Sequence, residues 1–230
     1  IVSGSPGDDR FHSGPVADIF FGSEGDDTFT STDQEDFQDG DAFYGEEGDD
    51  FFNPGTGQAT VNGGDGNDEL FLNDDSVVVF NGGDGVDLIN ARASDREWVF
   101  NLQSNQATGF DPGGAIVELS RTVAFSSVEV FEGGLYDDEF IGGAYVASTF
   151  RGNQGNDVFN SNVASGDATS DFAYGGEGED TFYSGTGADF FFGEVGEDTF
   201  IGREDADGDN QWDGGAGNDL FILEEGSRYL

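Results

Sequence analysis

The sequence predicts an all-β chain wound as a parallel solenoid of short strands and tight turns. Three observations carry that expectation. Glycine recurs with a nine-residue period, an aspartate holds a fixed place in most blocks, and a large apolar residue follows two places later. Blocks this short cannot bury an apolar face alone, so they must stack on one another.

The period is visible from Gly4, where the chain reads GSPGDDRFH, SGPVADIFF and GSEGDDTFT. It returns at Gly45 (GEEGDDFFN), Gly63 (GGDGNDELF), Gly82 (GGDGVDLIN), Gly133 (GGLYDDEFI) and Gly152 (GNQGNDVFN). It returns again at Gly175 (GGEGEDTFY), Gly193 (GEVGEDTFI) and Gly214 (GGAGNDLFI). Weaker blocks occupy frames at Pro54 (PGTGQATVN), Gly142 (GGAYVASTF) and Ser184 (SGTGADFFF). Of these 14 frames, 12 carry Asp at position six, with Ala59 and Ala147 as the exceptions.

The first six positions of a block form a turn and the last three a strand. Glycine suits the turn because it accepts positive φ and lets carbonyls converge. The position-eight residues Phe11, Phe20, Phe29, Phe52, Val61, Leu70, Ile89, Phe140, Phe159, Phe182, Phe191, Phe200 and Phe221 are the expected core. Burying one such ring contributes about 1.5–3 kcal/mol. An aromatic row of this kind is a core, not a ligand platform.

The block resembles the glycine-rich nonapeptide GGxGxDxUx of the RTX (hemolysin-type calcium-binding repeat) family, where U is large and apolar. The resemblance implies a parallel β-roll (β-solenoid) with two nonapeptides, about 18 residues, per coil. It also implies calcium ions held between turns stacked on the same edge. Calcium takes six to eight oxygens, which a carboxylate and turn carbonyls together supply. The candidate ligands are Asp9, Asp18, Asp27, Asp50, Asp68, Asp87, Asp138, Asp157, Asp180, Asp189, Asp198 and Asp219. With them stand the position-four glycines Gly7, Gly25, Gly48, Gly66, Gly85, Gly155, Gly178, Gly187, Gly196 and Gly217. Asp9 and Asp27 lie 18 residues apart, as do Asp50 and Asp68, and Asp180 and Asp198. The pairs Asp68–Asp87 and Asp138–Asp157 are separated by 19. These residues predict a nearly continuous calcium ladder on one edge. The other edge has Asp18 and Asp189 but is broken at Ala59 and Ala147, so patchy sites are expected there.

Composition agrees with a metal partner. Seven Arg and no Lys oppose 49 acids, for a net charge of -42, yet 24 Phe remain. That charge excludes nucleic acid and anionic membrane surfaces, which need basic patches. No apolar run reaches the roughly 20 residues of a membrane helix. Cysteine is absent, so a metal is the expected staple. The chain opens without a leader or an initiator Met, and reads as a mature fragment or the product of an export route needing no N-terminal signal.

Departures from nine are themselves repeated. Fourteen-residue inserts, Ser31–Tyr44 and Ser161–Tyr174, each precede three nonapeptides. Long blocks follow at Leu72–Asn81 and Gly202–Asp213. The expected organisation is two tandem copies of a roughly 130-residue unit: residues 1–90 as a first roll, 91–132 as a less regular β connector continuing the stack, and 133–230 as a second roll. In the connector, Trp98–Leu102 and Ile116–Leu119 read as strands around a turn at Asp111–Gly114, with Ser127–Phe131 leading into the next repeat.

Four further constellations bear on function beyond the repeat rule. Asp205, Asp207 and Asp209 alternate like an EF-hand loop, but the glycine is early and no Glu closes the loop; an extra ion site and a solvated acidic insertion are both open. Paired carboxylates carry no glycosidase signal here, because the repeat already explains them. The lone His12 and the serines lack a catalytic companion, and Arg92, Arg96, Arg121 and Arg151 are expected to neutralise local acids. The resulting expectation is a non-catalytic, extracellular or cell-surface, bacterial calcium-binding segment, exported by type I secretion as the resemblance implies. About ten ions cancelling roughly 20 charges would couple binding to folding. It would serve structure, adhesion or assembly, with its own copies or a surface glycan or protein as partners. The alternative is an accessory module of a secreted polysaccharide epimerase or protease.

Overall fold

A computed structural model describes residues 1–31, 40–74, 76–112, 121–143, 147–161, 169–202 and 209–223. These residues form strands and turns and contain no helix. In chain order the strands are β1 (Val2–Ser3), β2 (Arg10–Ser13), β3 (Ile19–Glu24), β4 (Thr28–Ser31), β5 (Gly40–Glu47), β6 (Phe51–Asn53), β7 (Gln58–Asp65), β8 (Glu69–Phe71), β9 (Val77–Asp84) and β10 (Leu88–Asn90). There follow β11 (Glu97–Asn101), β12 (Gln106–Phe110), β13 (Arg121–Ser126), β14 (Val130–Glu132), β15 (Glu139–Ile141), β16 (Thr149–Gln154), β17 (Val158–Asn160) and β18 (Phe172–Glu177). The last are β19 (Thr181–Tyr183), β20 (Phe190–Val195), β21 (Thr199–Gly202), β22 (Gln211–Asp213) and β23 (Leu220–Leu223).

The chain divides into two compact units. The first comprises Ile1–Ser94, Ala107–Gly109 and Glu118–Val130, and the second Asp95–Gln106, Phe110–Val117 and Phe131–Leu230. Each is a parallel β-solenoid in which successive strands of the repeats alternate between two sheets, while β12 and β13 lie in one sheet. In the first unit one sheet runs β1-β3-β5-β7-β9-β13-β12 and the other β2-β4-β6-β8-β10. In the second unit the orders are β11-β15-β17-β19-β21-β23 and β14-β16-β18-β20-β22. Register joins like positions: Phe11 pairs with Phe29, Phe29 with Phe52, Phe140 with Phe159 and Phe182 with Phe200.

That register turns the position-eight residues into continuous ring columns. Phe140, Phe159, Phe182 and Phe200 stack at 5.0, 4.8 and 4.7 Å between neighbouring centroids, with planes within 7°. Position eight is buried wherever a strand lies on both sides; Phe221, in the last strand of its sheet order, is 49% exposed.

Several sequence expectations need correction. The inserts rejoin the repeat at their C-terminal ends. Asp41 and Asp171 are buried at position six, and Phe43 and Ala173 are buried at position eight. Each insert is therefore a repeat with a lengthened turn. The frame at Gly142 is ten residues long: Phe150 faces the core and Ser148, not Ala147, takes position six. In the long blocks, Val78 and Asn210 fill position six, with Phe80 and Trp212 two places on. Between the repeats, Trp98 and Phe100 are buried in β11 as expected. Strands β12 and β13 were not foreseen; Ser127–Glu129, entered at positive φ (50°) at Ser127, leads into β14. Ile116–Leu119, Gly113–Gly114, Asp205, Asp207 and most of both inserts lie outside the described residues.

Candidate metal centre

Each half-coil brings its position-six aspartate to an edge, just before the short strand that follows. On the first edge of the first unit stand Asp9, Asp27, Asp50, Asp68 and Asp87. Each carboxylate accepts, through Oδ1, the main-chain N–H of its predecessor: Asp9 to Asp27 at 2.7 Å, Asp27 to Asp50 at 2.7 Å, Asp50 to Asp68 at 2.9 Å and Asp68 to Asp87 at 2.8 Å. The column closes on Glu129, whose Oε2 accepts the Asp87 N–H at 3.0 Å. In the second unit Trp98 N–H donates to Asp138, and the column continues through Asp157, Asp180, Asp198 and Asp219. The inserts lengthen Asp27–Asp50 and Asp157–Asp180 to 23 residues without breaking either column.

The second carboxylate oxygen is the informative one. Oδ2 of Asp27, Asp50, Asp68, Asp87, Asp157, Asp180 and Asp198 is buried and has no hydrogen-bond donor. An unpaired buried acceptor is costly, and a buried carboxylate more so. Seven such oxygens at one place in the repeat call for a shared partner that is a cation. Burial raises Asp50, Asp68 and Asp180 to about 7, Asp87 to about 6, Asp138 to about 7 and Asp157 to about 9. Accepted N–H groups oppose the rise and neighbouring carboxylates add to it. Asp27 and Asp198 are raised for the same reason.

Among the described residues no three acidic or imidazole side chains converge on a point. An ion at this edge must therefore draw on main-chain carbonyls as well, which suits calcium. The glycine at position one holds that space open. A Cβ at Gly45 would strike Asp50 Oδ2 and lie 2.5 Å from the Gly63 carbonyl oxygen. At position four, Gly66 has φ 139° and packs against the Gly48 carbonyl. Gly7, Gly25, Gly48, Gly85, Gly155, Gly178, Gly187 and Gly217 share positive φ, and Gly196 packs on the Gly178 carbonyl.

The second edge differs. Asp18 N–H donates to Asp41 at 2.9 Å, but Ala59 and Val78 follow. In the second unit the column is Ser148, Asp171, Asp189 and Asn210. Asp209 is exposed beside it. Elsewhere, His12 is exposed and its Nδ1 meets Thr30 Oγ1 at 2.5 Å. Arg96 pairs with Asp111, and Arg151 with Glu132 at 3.3 Å. Asp41, Asp171 and Glu129 were missed as column members. The signal for the first two was the D-x-[FA]-Y ending of each insert; Glu129 has no motif.

The sequence model of the RTX calcium-binding nonapeptide repeat matches residues 2–37, 39–61, 44–76, 165–200 and 174–209, together more than half of the chain. No curated protein matches the sequence.

Proposed function

This chain belongs to the RTX calcium-binding nonapeptide repeat family, and we propose that it is a non-catalytic, extracellular segment that calcium folds into a structural, adhesive or assembly element of a larger protein. The observation that carries this reading is the row of seven donor-less aspartate oxygens. Asp27, Asp50, Asp68, Asp87, Asp157, Asp180 and Asp198 would hold the ions, each with carbonyls of the adjacent turns. Calcium supplies the positive charge that lets these buried carboxylates ionise. The chain's own part is to stack the turns and exclude water from the carboxylates by the ring columns.

At -42 the calcium-poor chain repels itself, and a calcium-rich exterior relieves the repulsion. That contrast fits export in an unfolded state followed by folding outside. The organisation we favour keeps 1–90 and 133–230 as two rolls of one roughly 130-residue unit, joined by 91–132. Among the described residues no helix is long and apolar enough to cross a membrane.

The alternative, glycan gripping in support of a secreted enzyme, would need free aromatic faces with bases beside them. Phe172 stacks on Phe190 at 4.7 Å and Tyr174 on Phe192 at 5.0 Å, while Arg151 covers Tyr174 at 5.9 Å. These outward rings spend their faces on one another, which favours the structural reading.

Far-UV circular dichroism during a calcium titration of EDTA-stripped protein tests the proposal. A cooperative gain of β signal near millimolar calcium is expected. A spectrum unchanged between EDTA and calcium removes calcium as the folding switch. Turnover of a polysaccharide or peptide by the isolated chain, lost on a point substitution, would overturn the non-catalytic reading.

A further inference from the structure

We infer that calcium enters this roll along the first edge only, and that the second edge is a seam closed without metal. The inference rests on the calcium reading above and adds where the ions go and what remains when they leave.

The two edges differ at position one. Every first-edge block begins with glycine, and a side chain there would collide with the Oδ2 that faces the ion, as at Gly45 and Gly63. Second-edge blocks begin with Ser13, Ser31, Pro54 and Leu72 in the first unit and with Gly142, Ser161, Ser184 and Gly202 in the second, all buried but Ser31. Six of the eight thus carry a side chain where the first edge keeps space open.

Position six differs as well. In the first unit Ala59 (6% exposed) and Val78 (1%) replace the carboxylate. Strands β5, β7 and β9 run straight through this position. Gly40 pairs with Gln58 and Gln58 with Val77; Asp41 pairs with Ala59 and Ala59 with Val78. Val77 N–H donates to the Gly57 carbonyl at 3.1 Å. Main-chain groups that would face an ion on the first edge are here used by the neighbouring strand.

In the second unit the seam is polar and Asp189 is satisfied within it, while Asn210 Nδ2, a donor and so no cation ligand, is buried without a partner. Asp189 Oδ1 accepts the Asp171 N–H at 3.1 Å. Its Oδ2 accepts the Ser161 hydroxyl at 2.9 Å and the Gly185 N–H at 3.1 Å. Asp189 N–H in turn donates to Asn210 Oδ1 at 2.7 Å. Where seven of the ten first-edge aspartates leave an oxygen without a donor, Asp189 has none to offer. A carboxylate holding two donors on that oxygen exchanges them for an ion at little gain.

The seam is the last part of the stack to open as calcium falls. Partial ion loss opens the first edge while the second stays laced by ladder bonds, so refilling starts from aligned coils.

Two measurements on the full chain test this. Native mass spectrometry across a calcium titration should saturate near seven ions, one per donor-less oxygen. Asp68→Asn should lower that number and Asp189→Asn should leave it unchanged. Saturation near a dozen, or an ion lost in Asp189→Asn, overturns the seam. Absence of bound calcium altogether overturns the parent reading and the seam with it. Hydrogen exchange of wild-type protein at subsaturating calcium gives the second readout, independent of whether a variant folds. Residues 58–61 and 77–80 should stay protected while 63–69 and 82–88 exchange about a hundredfold faster than at saturation. Equal loss of protection at both edges refutes the seam.

Discussion

Protons should stand in for calcium, and the raised carboxyls fix the direction. In the calcium-free fold Asp50, Asp68, Asp138 and Asp180 sit at about 7, Asp87 at about 6 and Asp157 at about 9, against 3.8 for the ordinary group. The folded form therefore binds more protons than the unfolded one from about pH 4 up to those values. Stability of the calcium-free fold is greatest near the bottom of that window and is lost as pH rises through it. At pH 5.5 these six groups carry roughly five more protons folded than unfolded, and at pH 8.5 about one. EDTA-stripped protein should accordingly gain β signal and thermal stability when taken from pH 8.5 to 5.5. With calcium present the dependence reverses, because each ion must displace protons, and the calcium midpoint should rise on acidification. The assay is circular dichroism at both pH values with and without calcium, paired with a pH-indicator measurement of protons released on calcium addition at pH 6. A β signal without calcium that is flat across this range, or larger at pH 8.5, would refute the assignment of these aspartates to a buried, cation-seeking row.

Single substitutions probe the other parts of the argument. Asp68→Asn keeps the shape but removes the charge, so the calcium midpoint should rise about tenfold, read by the same titration. Gly66→Ala forces a Cβ onto the Gly48 carbonyl at φ 139°. It should cost roughly 2 kcal/mol or more, seen as a lower denaturant midpoint in saturating calcium. Phe159→Ala empties a ring position 1% exposed between Phe140 and Phe182. A loss of about 3–5 kcal/mol is expected by chemical denaturation, and a loss under about 1 kcal/mol would mean the column is not the core of the unit.

Much of this fold was legible because one short rule repeats. Asp50-Phe51-Phe52 predicts a turn ligand, an outward residue and a core ring, and Phe52 is fully buried between Phe29 and Phe80. What escaped was repeats whose turn had grown. Strict nine-residue framing left Asp41 and Asp171 in inserts outside the repeat, although the three residues from each aspartate onward keep the rule. It also took Ala147 for a broken site where one extra residue hands position six to Ser148. Turn length is weakly constrained where no ion must be gripped, so second-edge blocks vary from nine to fourteen residues while first-edge blocks stay at nine. The letter at position one carried much of the same distinction: glycine throughout the first edge, but Ser13, Ser31, Pro54, Leu72, Ser161 and Ser184 at six of the eight second-edge blocks, with Gly142 and Gly202 at the others. Strands β12 and β13 were hidden because the connector has neither glycine period nor position-six aspartate.

In-register parallel stacking explains why so acidic a sequence needs so many phenylalanines. A roll places every residue beside its own equivalent about 4.8 Å away. For rings this is favourable, and Phe11, Phe29 and Phe52 stack with planes within 10°. For acids it is not. Glu24, Glu47, Asp65 and Asp84 stand in register on consecutive strands, and Asp8, Asp26 and Asp49 form another row. The same geometry that multiplies ring contact multiplies charge repulsion, coil by coil. Exposed rows are eased by water and salt, but the buried aspartates are not, and apolar packing alone cannot ionise them. A divalent cation between successive coils reverses the sign of that one column and leaves the ring columns untouched. The repeat then has both halves of a switch: a core that rewards stacking, and an edge that forbids it until the ions arrive.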